Sequence, residues 1–260
     1  MSTHVVADSA TMFRRNLLHM IRYPAVTIPV VFTPIVLLLL FVYVFGGTLG
    51  AGLGAGGGRA EYLAYITPAI LLLANTANAQ GIAISVATDM TEGIIARFRT
   101  MPISRSSVLA GHVFGGLVQS LIAMAASLVV SLLLGFRPQA SGAGWIGLLA
   151  LLVLISFAIS WLSVAFGLAA RSVESASNLP MLLLLLPVLS SGFVPVDSMP
   201  SGLKWFAEYQ PFTPIIESIR GLFAGHVETS DLLAALIWIV ATAVLGYMWA
   251  RSLFQRRALR

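Results

Sequence analysis

Six stretches of this chain, at 25–46, 63–87, 108–134, 145–170, 176–194 and 232–250, contain no Asp, Glu, Lys or Arg. Each is close to the run of about 20 apolar residues that a helix needs to cross the hydrocarbon core of a bilayer. The whole chain is 58% apolar and 10% charged, whereas ordinary soluble domains carry about 25% charged residues. So few charges cannot dress a globular surface. The fold class that follows is an all-α membrane protein with six transmembrane helices. Residues 1–24 read as a cytoplasmic amphipathic helix lying at the interface. Residues 25–251 form the six-span domain, and 252–260 a basic cytoplasmic tail.

Charge placement orients the bundle. Arg14, Arg15, Arg22, Arg97, Arg99, Arg105, Arg171, Arg251, Arg256, Arg257 and Arg260 fall on one side, and Arg59, Arg137, Lys204 and Arg220 on the other. Basic residues stay inside, so both termini are expected in the cytoplasm, N-in/C-in, in the cytoplasmic (inner or plasma) membrane. Phe13-Arg14-Arg15-Asn16-Leu17-Leu18 resembles a twin-arginine export signal. The apolar run behind it exceeds the 7–15 residues of a signal core, and five more spans follow. The amphipathic reading places Phe13, Leu17, Met20 and Ile21 on one side, with Arg15, His19 and Arg22 on the other. A merely solvated basic tail is the alternative.

The pattern also excludes chemistries. The spans hold no carboxylate, and their one histidine, His112, reads as a helix-packing residue, which disfavours proton-coupled antiport. The only lysine is Lys204, so a nucleotide-binding P-loop is absent. Gly52-x-Gly54-x-x-Gly57 fits a dinucleotide fingerprint but follows no strand and reads as a flexible external loop. Cysteine is absent and the four histidines are dispersed, so no metal site, bound cofactor or catalytic centre is expected. A net charge of +5 is small for nucleic-acid binding, and no nucleic-acid partner is expected.

Polar marks inside the spans leave two readings open. Asn75, Asn78 and Gln80 lie near mid-depth in span two, and Ser156, Ser160 and Ser163 stripe span four. Gly111-xxx-Gly115 and Gly116-xxx-Ser120 are small-residue packing surfaces in span three, within or between subunits. The amides and hydroxyls either join helices or line a translocation path. Pro29, Pro34 and Pro187 are candidate kink sites.

Two connecting segments carry more information. The cytoplasmic segment 89–105 has a helix-compatible middle with Ile94, Ile95 and Phe98 on one face, ended by Pro102. Such a helix suits a partner's groove, although the positive-inside rule alone would also place arginines there. The outer segment 190–225 is too long and apolar for a plain loop. It reads as two short re-entrant or interfacial helices, around 203–206 and 215–223, joined at Pro211 to Pro214. Trp205 and Tyr209 suit the headgroup layer. Glu217 and Arg220 share a face, and if half-buried there, loss of one would strand the other's charge.

At these segments the chain resembles the permeases of type-2 ABC exporters, in the daunorubicin/doxorubicin-resistance branch. Glu92-Gly93 and Arg97…Pro102-Ile103-Ser104-Arg105 match the family's cytoplasmic loop, with Glu and Gly adjacent here. Ser191-Gly192-Phe193-Val194-Pro195, Met199-Pro200, Leu203, Pro211-Phe212-Thr213 and Arg220-Gly221-Leu222 match its outer signature, with Gln210 where Asn is usual. The resemblance implies a permease without its own ATPase site, paired with a second permease copy and with an ABC ATPase subunit that binds ATP and Mg. It implies ATPase docking by Glu92, Gly93, Arg97, Arg99 and Pro102. It also implies an outer lid containing Pro211, Pro214, Glu217 and Arg220, and a path for which Asn75, Asn78 and Gln80 are candidates. The cargo would be hydrophobic or amphipathic, drug- or lipid-like. A lipid or polysaccharide carrier, a scaffold and a channel are the alternatives.

Overall fold

The computed structural model describes residues 5–22, 24–53, 57–91 and 105–258, and every regular element among them is helical. We number α1 (Val5–Arg22), α2 (Pro24–Leu40), α3 (Gly46–Ala51), α4 (Arg59–Thr91), α5 (Arg105–Leu133) and α6 (Gly142–Ala169). There follow α7 (Val173–Asn178), α8 (Met181–Val188), α9 (Ser201–Tyr209), α10 (Phe212–Ala224) and α11 (Thr229–Ala258). A π-helical turn, Phe41–Phe45, joins α2 to α3.

Among the described residues, five helical stretches are long and apolar enough to cross a bilayer: Thr27–Ala51, Arg59–Thr91, Ser107–Leu133, Gly142–Ala169 and Thr229–Arg256. The stretch expected at 176–194 takes another form. It is built from α7 and α8, which together cover Val173–Val188, about 24 Å of helix at 1.5 Å per residue. That is short of a core about 30 Å thick. The interruption falls at Leu179-Pro180. Pro180 has no N–H to continue the ladder, and bonding resumes from the Leu183 N–H to the Pro180 carbonyl at 2.9 Å. The expected kink sites Pro29, Pro34 and Pro187 lie inside α2 and α8.

Helix α4 is the central post. α2, α5, α6, α7, α8 and α10 pack around it, and α11 lies outside against α6 and α10. Lipid is as apolar as leucine, so close packing rather than water exclusion holds such helices together. Small residues make that approach possible. A Cβ on Gly116 would stand 2.3 Å from the Ile82 side chain, and one on Gly167 2.6 Å from the Ala83 carbonyl. Gly116-xxx-Ser120 therefore receives α4.

Gly111-xxx-Gly115 receives α1. Added Cβ atoms there would stand 2.6 Å from Met12 Cβ and 2.8 Å from Asn16 Cβ. Both small-residue surfaces of α5 are thus occupied within one chain. α1 turns Met12 and Asn16 to α5, while Phe13, Leu17 and Met20 are half-buried.

At the end of the bundle away from Asp89 the helices are closed by specific caps. Ser141 accepts the Gly144 N–H at 3.1 Å to start α6. Gly225, left-handed at φ 83°, ends α10 and lets the His226 N–H reach the Gly221 carbonyl at 3.0 Å. The Gln139 N–H donates to the Phe223 carbonyl at 2.7 Å, which ties the α5–α6 turn to α10.

Candidate functional site

Three features follow one another along α4. The first is at its C-terminal end, which leads into segment 92–104. Asp89 Oδ1 accepts from Arg15 of α1 at 2.6 Å, and Asp89 Oδ2 meets His112 Nε2 of α5 at 3.1 Å. A carboxylate only accepts, so His112 Nε2 carries the proton. Glu92, Gly93, Arg97, Arg99 and Pro102 lie outside the described residues. The Asp89 cluster was not legible as a site. Asp89 reads as the start of a loop and His112 as a packing residue, and only the adjacency of the two spans brings them together. The available signal was that a carboxylate at the very end of a buried span needs a partner.

The second feature is a groove of about 300 Å³ between α2, α4 and α8, lined by Pro34, Leu37, Leu73, Ala77, Leu184 and Val188 among others. Gln80 supplies an amide to this apolar wall, and its Nε2 donates to the Ser177 carbonyl of α7 at 3.0 Å. Asn78 points elsewhere. Its Nδ2 donates to the Gly116 carbonyl and to Ser120 Oγ of α5, both at 2.9 Å. Asn75 is fully buried, and neither of its side-chain polar atoms has a partner among the described residues. Ser156 and Ser163 bond back to carbonyls of their own helix at 2.7 Å. Of the polar marks, Gln80 is the one on the groove wall.

The third feature caps the end of the bundle away from Asp89. After α8 the chain is irregular through 189–195. Non-helical backbone in a membrane protein persists only where protein satisfies its polar groups, and here side chains from α4 and α10 do so, with Gln210, just after α9, serving the end of α8. Tyr65 OH donates to the Ser191 carbonyl at 2.6 Å, and Tyr62 OH to the Phe193 carbonyl at 3.3 Å. Gln210 Nε2 donates to the Leu186 carbonyl at 3.0 Å, and Thr213 Oγ1 accepts the Ser191 N–H at 3.3 Å. Arg220 Nη2 reaches the carbonyls of Tyr65 and Ser191 at 3.2 and 3.1 Å, and its guanidinium stacks 4.0 Å above the Tyr65 ring. Glu217 accepts from Arg220 Nη1. Ser191, Thr213 and Arg220 are thus one bonded unit, with Gln210 bonded beside it, and the tyrosines of α4 are members that sequence reading missed.

The helix boundaries in this cap differ from the expected ones. The connection is Gln210-Pro211, and Pro214 stands in the first turn of α10, where a missing N–H costs no bond. α10 is largely buried, whereas α9 exposes Leu203, Trp205, Phe206 and Tyr209. Below α9, Lys204 pairs with Asp197 at 2.7 Å. This contact holds the Asp197 carboxyl below and the Lys204 ammonium above their usual ranges.

The chain is similar to known proteins. The chain is 28% identical over 221 residues to the daunorubicin resistance ABC transporter permease protein of Streptomyces coeruleorubidus, covering 85% of this chain and 76% of that one. It is 27% identical over 201 residues to the doxorubicin resistance ABC transporter permease protein of Mycobacterium tuberculosis, covering 76% and 68% respectively. Residues 9–224 match the profile of the ABC-2 type transporter. That match takes in most of α1, the Asp89 cluster, the groove and the cap over 189–195, and the chain belongs to the ABC-2 type transporter family.

Proposed function

We propose that the chain is the membrane half of an ATP-driven exporter that moves an apolar or amphipathic molecule outward, with the groove between α2, α4 and α8 as its path. Six crossings, the fifth completed by the irregular segment 189–195 beyond α7 and α8, would put both termini in the cytoplasm, in keeping with the positive-inside bias. Segment 92–104 then meets a separate ATPase subunit that binds ATP and Mg. α9 rests in the outer headgroup layer, where Trp205 and Tyr209 are favoured.

The observation that carries this reading is the groove itself. It runs along α4 from Pro29, near the start of α2, to Phe41 and Phe193, where the outer cap begins. It is mostly apolar, with the Gln80 amide and the Thr33 hydroxyl on its wall, which suits a greasy cargo with few polar groups. Exposed apolar residues flank it: Ile28, Phe32, Val36, Leu39 and Tyr43 along the first span, and Met181, Leu182 and Leu185 on α8. Their 4-4-3-4 spacing on the first span makes a continuous stripe. A second copy set against that stripe would turn the groove into an enclosed path.

The names of the relatives make doxorubicin a suitable probe. Permease and ATPase would be reconstituted together in proteoliposomes and doxorubicin movement followed by fluorescence. Ala77→Trp fills the groove and is expected to abolish transport while ATPase binding persists. Wild-type transport by that variant would rule out the groove as the path.

A further inference from the structure

Asp89 is a deeply buried carboxylate, 5% exposed, at the point where α4 gives way to segment 92–104. His112 stands two turns into α5, where the chain has returned from that segment. Each Asp89 oxygen takes one partner, Arg15 on α1 and His112 on α5. The side chains of Asp89 and His112 are 7% and 4% exposed, and that of Arg15 is 36%. An ionic link therefore joins three helices at the root of the segment. A steric link lies beside it, since Met12 and Asn16 of α1 sit against Gly111 and Gly115 too closely for any side chain to intervene. Two independent contacts thus fix α1 to both arms of the α4–α5 hairpin.

We propose that Asp89 is a positioning residue for energy coupling. It locks α1 to the α4–α5 hairpin, so that a push on segment 92–104 moves α1, α4 and α5 as one body. The role rests on the reading that this segment docks the ATPase. Without the lock, the hairpin tip would move against α1, and ATP would be hydrolysed with little movement of the path. A buried carboxylate suits the task because separating it from its partners strands charge in a poorly solvated place. The link therefore holds or breaks as a unit.

Two measurements on Asp89→Asn test the lock and its consequence separately. The first uses the permease alone in nanodiscs and reads amide hydrogen exchange. Protection across α1 is expected to fall about tenfold, with α6 unchanged. The second uses the permease with its ATPase in proteoliposomes and doxorubicin as cargo. ATP consumed per doxorubicin moved is expected to rise about tenfold, with ATPase co-purification retained. Arg15→Gln is expected to act in the same direction, Arg15→Lys to stay near wild type, and Arg15→Gln serves both measurements if Asp89→Asn fails to insert. Unchanged α1 exchange in a permease that recruits its ATPase overturns the lock, and the coupling role with it, while the docking reading stands. Hydrolysis and transport falling in proportion would show a purely structural residue and overturn the coupling role. A wild-type permease that recruits no ATPase sinks the docking reading, and the coupling role with it.

Discussion

Removing Arg220 should destabilise the permease more than removing Glu217, and the double variant should be no worse than Arg220→Ala alone. The pair is partly buried, with side chains 22% and 30% exposed, which from sequence suggests that either loss strands a charge. The geometry gives a different ranking. With Glu217 gone, Arg220 still donates to the Tyr65 and Ser191 carbonyls and stacks on the Tyr65 ring. Glu217→Ala therefore removes one ion pair near the rim and costs about 1 kcal/mol. Arg220→Ala removes two charge-assisted hydrogen bonds at about 1.5 kcal/mol or more each and a cation–π contact of about 1 kcal/mol. Ser191 keeps its bond from Tyr65 OH, which softens the loss, so the net is about 3 kcal/mol. In the double variant Glu217 has no partner left to lose, and the coupling between the two positions should be about 1 kcal/mol. The assay is reversible unfolding of purified permease in mixed micelles with rising denaturing detergent, run on the four members of the cycle. Additive effects, or Glu217→Ala as harmful as Arg220→Ala, would refute the carbonyl-anchoring role and return the segment to an ordinary external loop.

Other expectations are equally concrete. Gly115→Leu should unseat α1 at about 1–3 kcal/mol, whereas Gly142→Ala, with nothing within 4 Å of the added atom, should leave thermal stability unchanged. Reversing Arg97 and Arg99 to Glu should permit membrane insertion yet weaken ATPase co-purification and abolish cargo-stimulated hydrolysis; normal export by a correctly inserted variant would leave those arginines only an orienting role. The chain lacks cysteine, so single-cysteine labelling reads topology directly: Ser104→Cys should resist an impermeant reagent in intact cells and Gly202→Cys should react. Gln210 is only 4% exposed and would label slowly from either side. Asp197 is held low by Lys204, so any stability from that exposed pair is present at neutral pH and fades as pH falls through the lowered carboxyl range; Asp197→Asn should therefore leave the stability profile from about pH 6 to 9 unchanged.

What the sequence made legible followed from strong local constraints. Five charge-free stretches became long apolar helices because a run without charge has one stable solution in lipid. The paired short helices after residue 200 were visible from their prolines and aromatic residues. The interruption at Leu179-Pro180 was not, because an unbroken apolar run says nothing about where a ladder skips, and Pro187, the more conspicuous proline, sits inside α8. The outer signature was readable as a motif but not as a mechanism. Its partners Tyr62 and Tyr65 lie more than a hundred residues earlier, and their hydroxyls matter only because the facing backbone is unwound. The Asp89 cluster was hidden for a related reason: three groups spread from residue 15 to residue 112 form one site only after α1 docks on α5.

The polar residues of α4 divide by the faces on which they stand, and, on the proposal that the groove is the path, that division bears on how the cargo is chosen. Asn75 and Asn78 are three residues apart and fully buried, with Asn78 bonded to α5. An amide in hydrocarbon must face protein or water, and Asn78 meets that demand by joining helices. Gln80 stands two residues further on, about 200° around the helix from Asn78 at 100° per residue, and reaches the groove. The same physical rule thus gives neighbouring amides opposite assignments. With the Gln80 amide and the Thr33 hydroxyl on an otherwise apolar wall, a path along the groove would offer few hydrogen bonds by which to discriminate among cargos, so selection would rest on shape and apolar area. Gln80→Leu should then alter transport of a polar-headed cargo more than that of a purely apolar one, while Asn78→Leu should lower stability, because the loss falls on packing with α5. Equal transport defects from both substitutions, without a stability difference, would show that the two amides serve one surface.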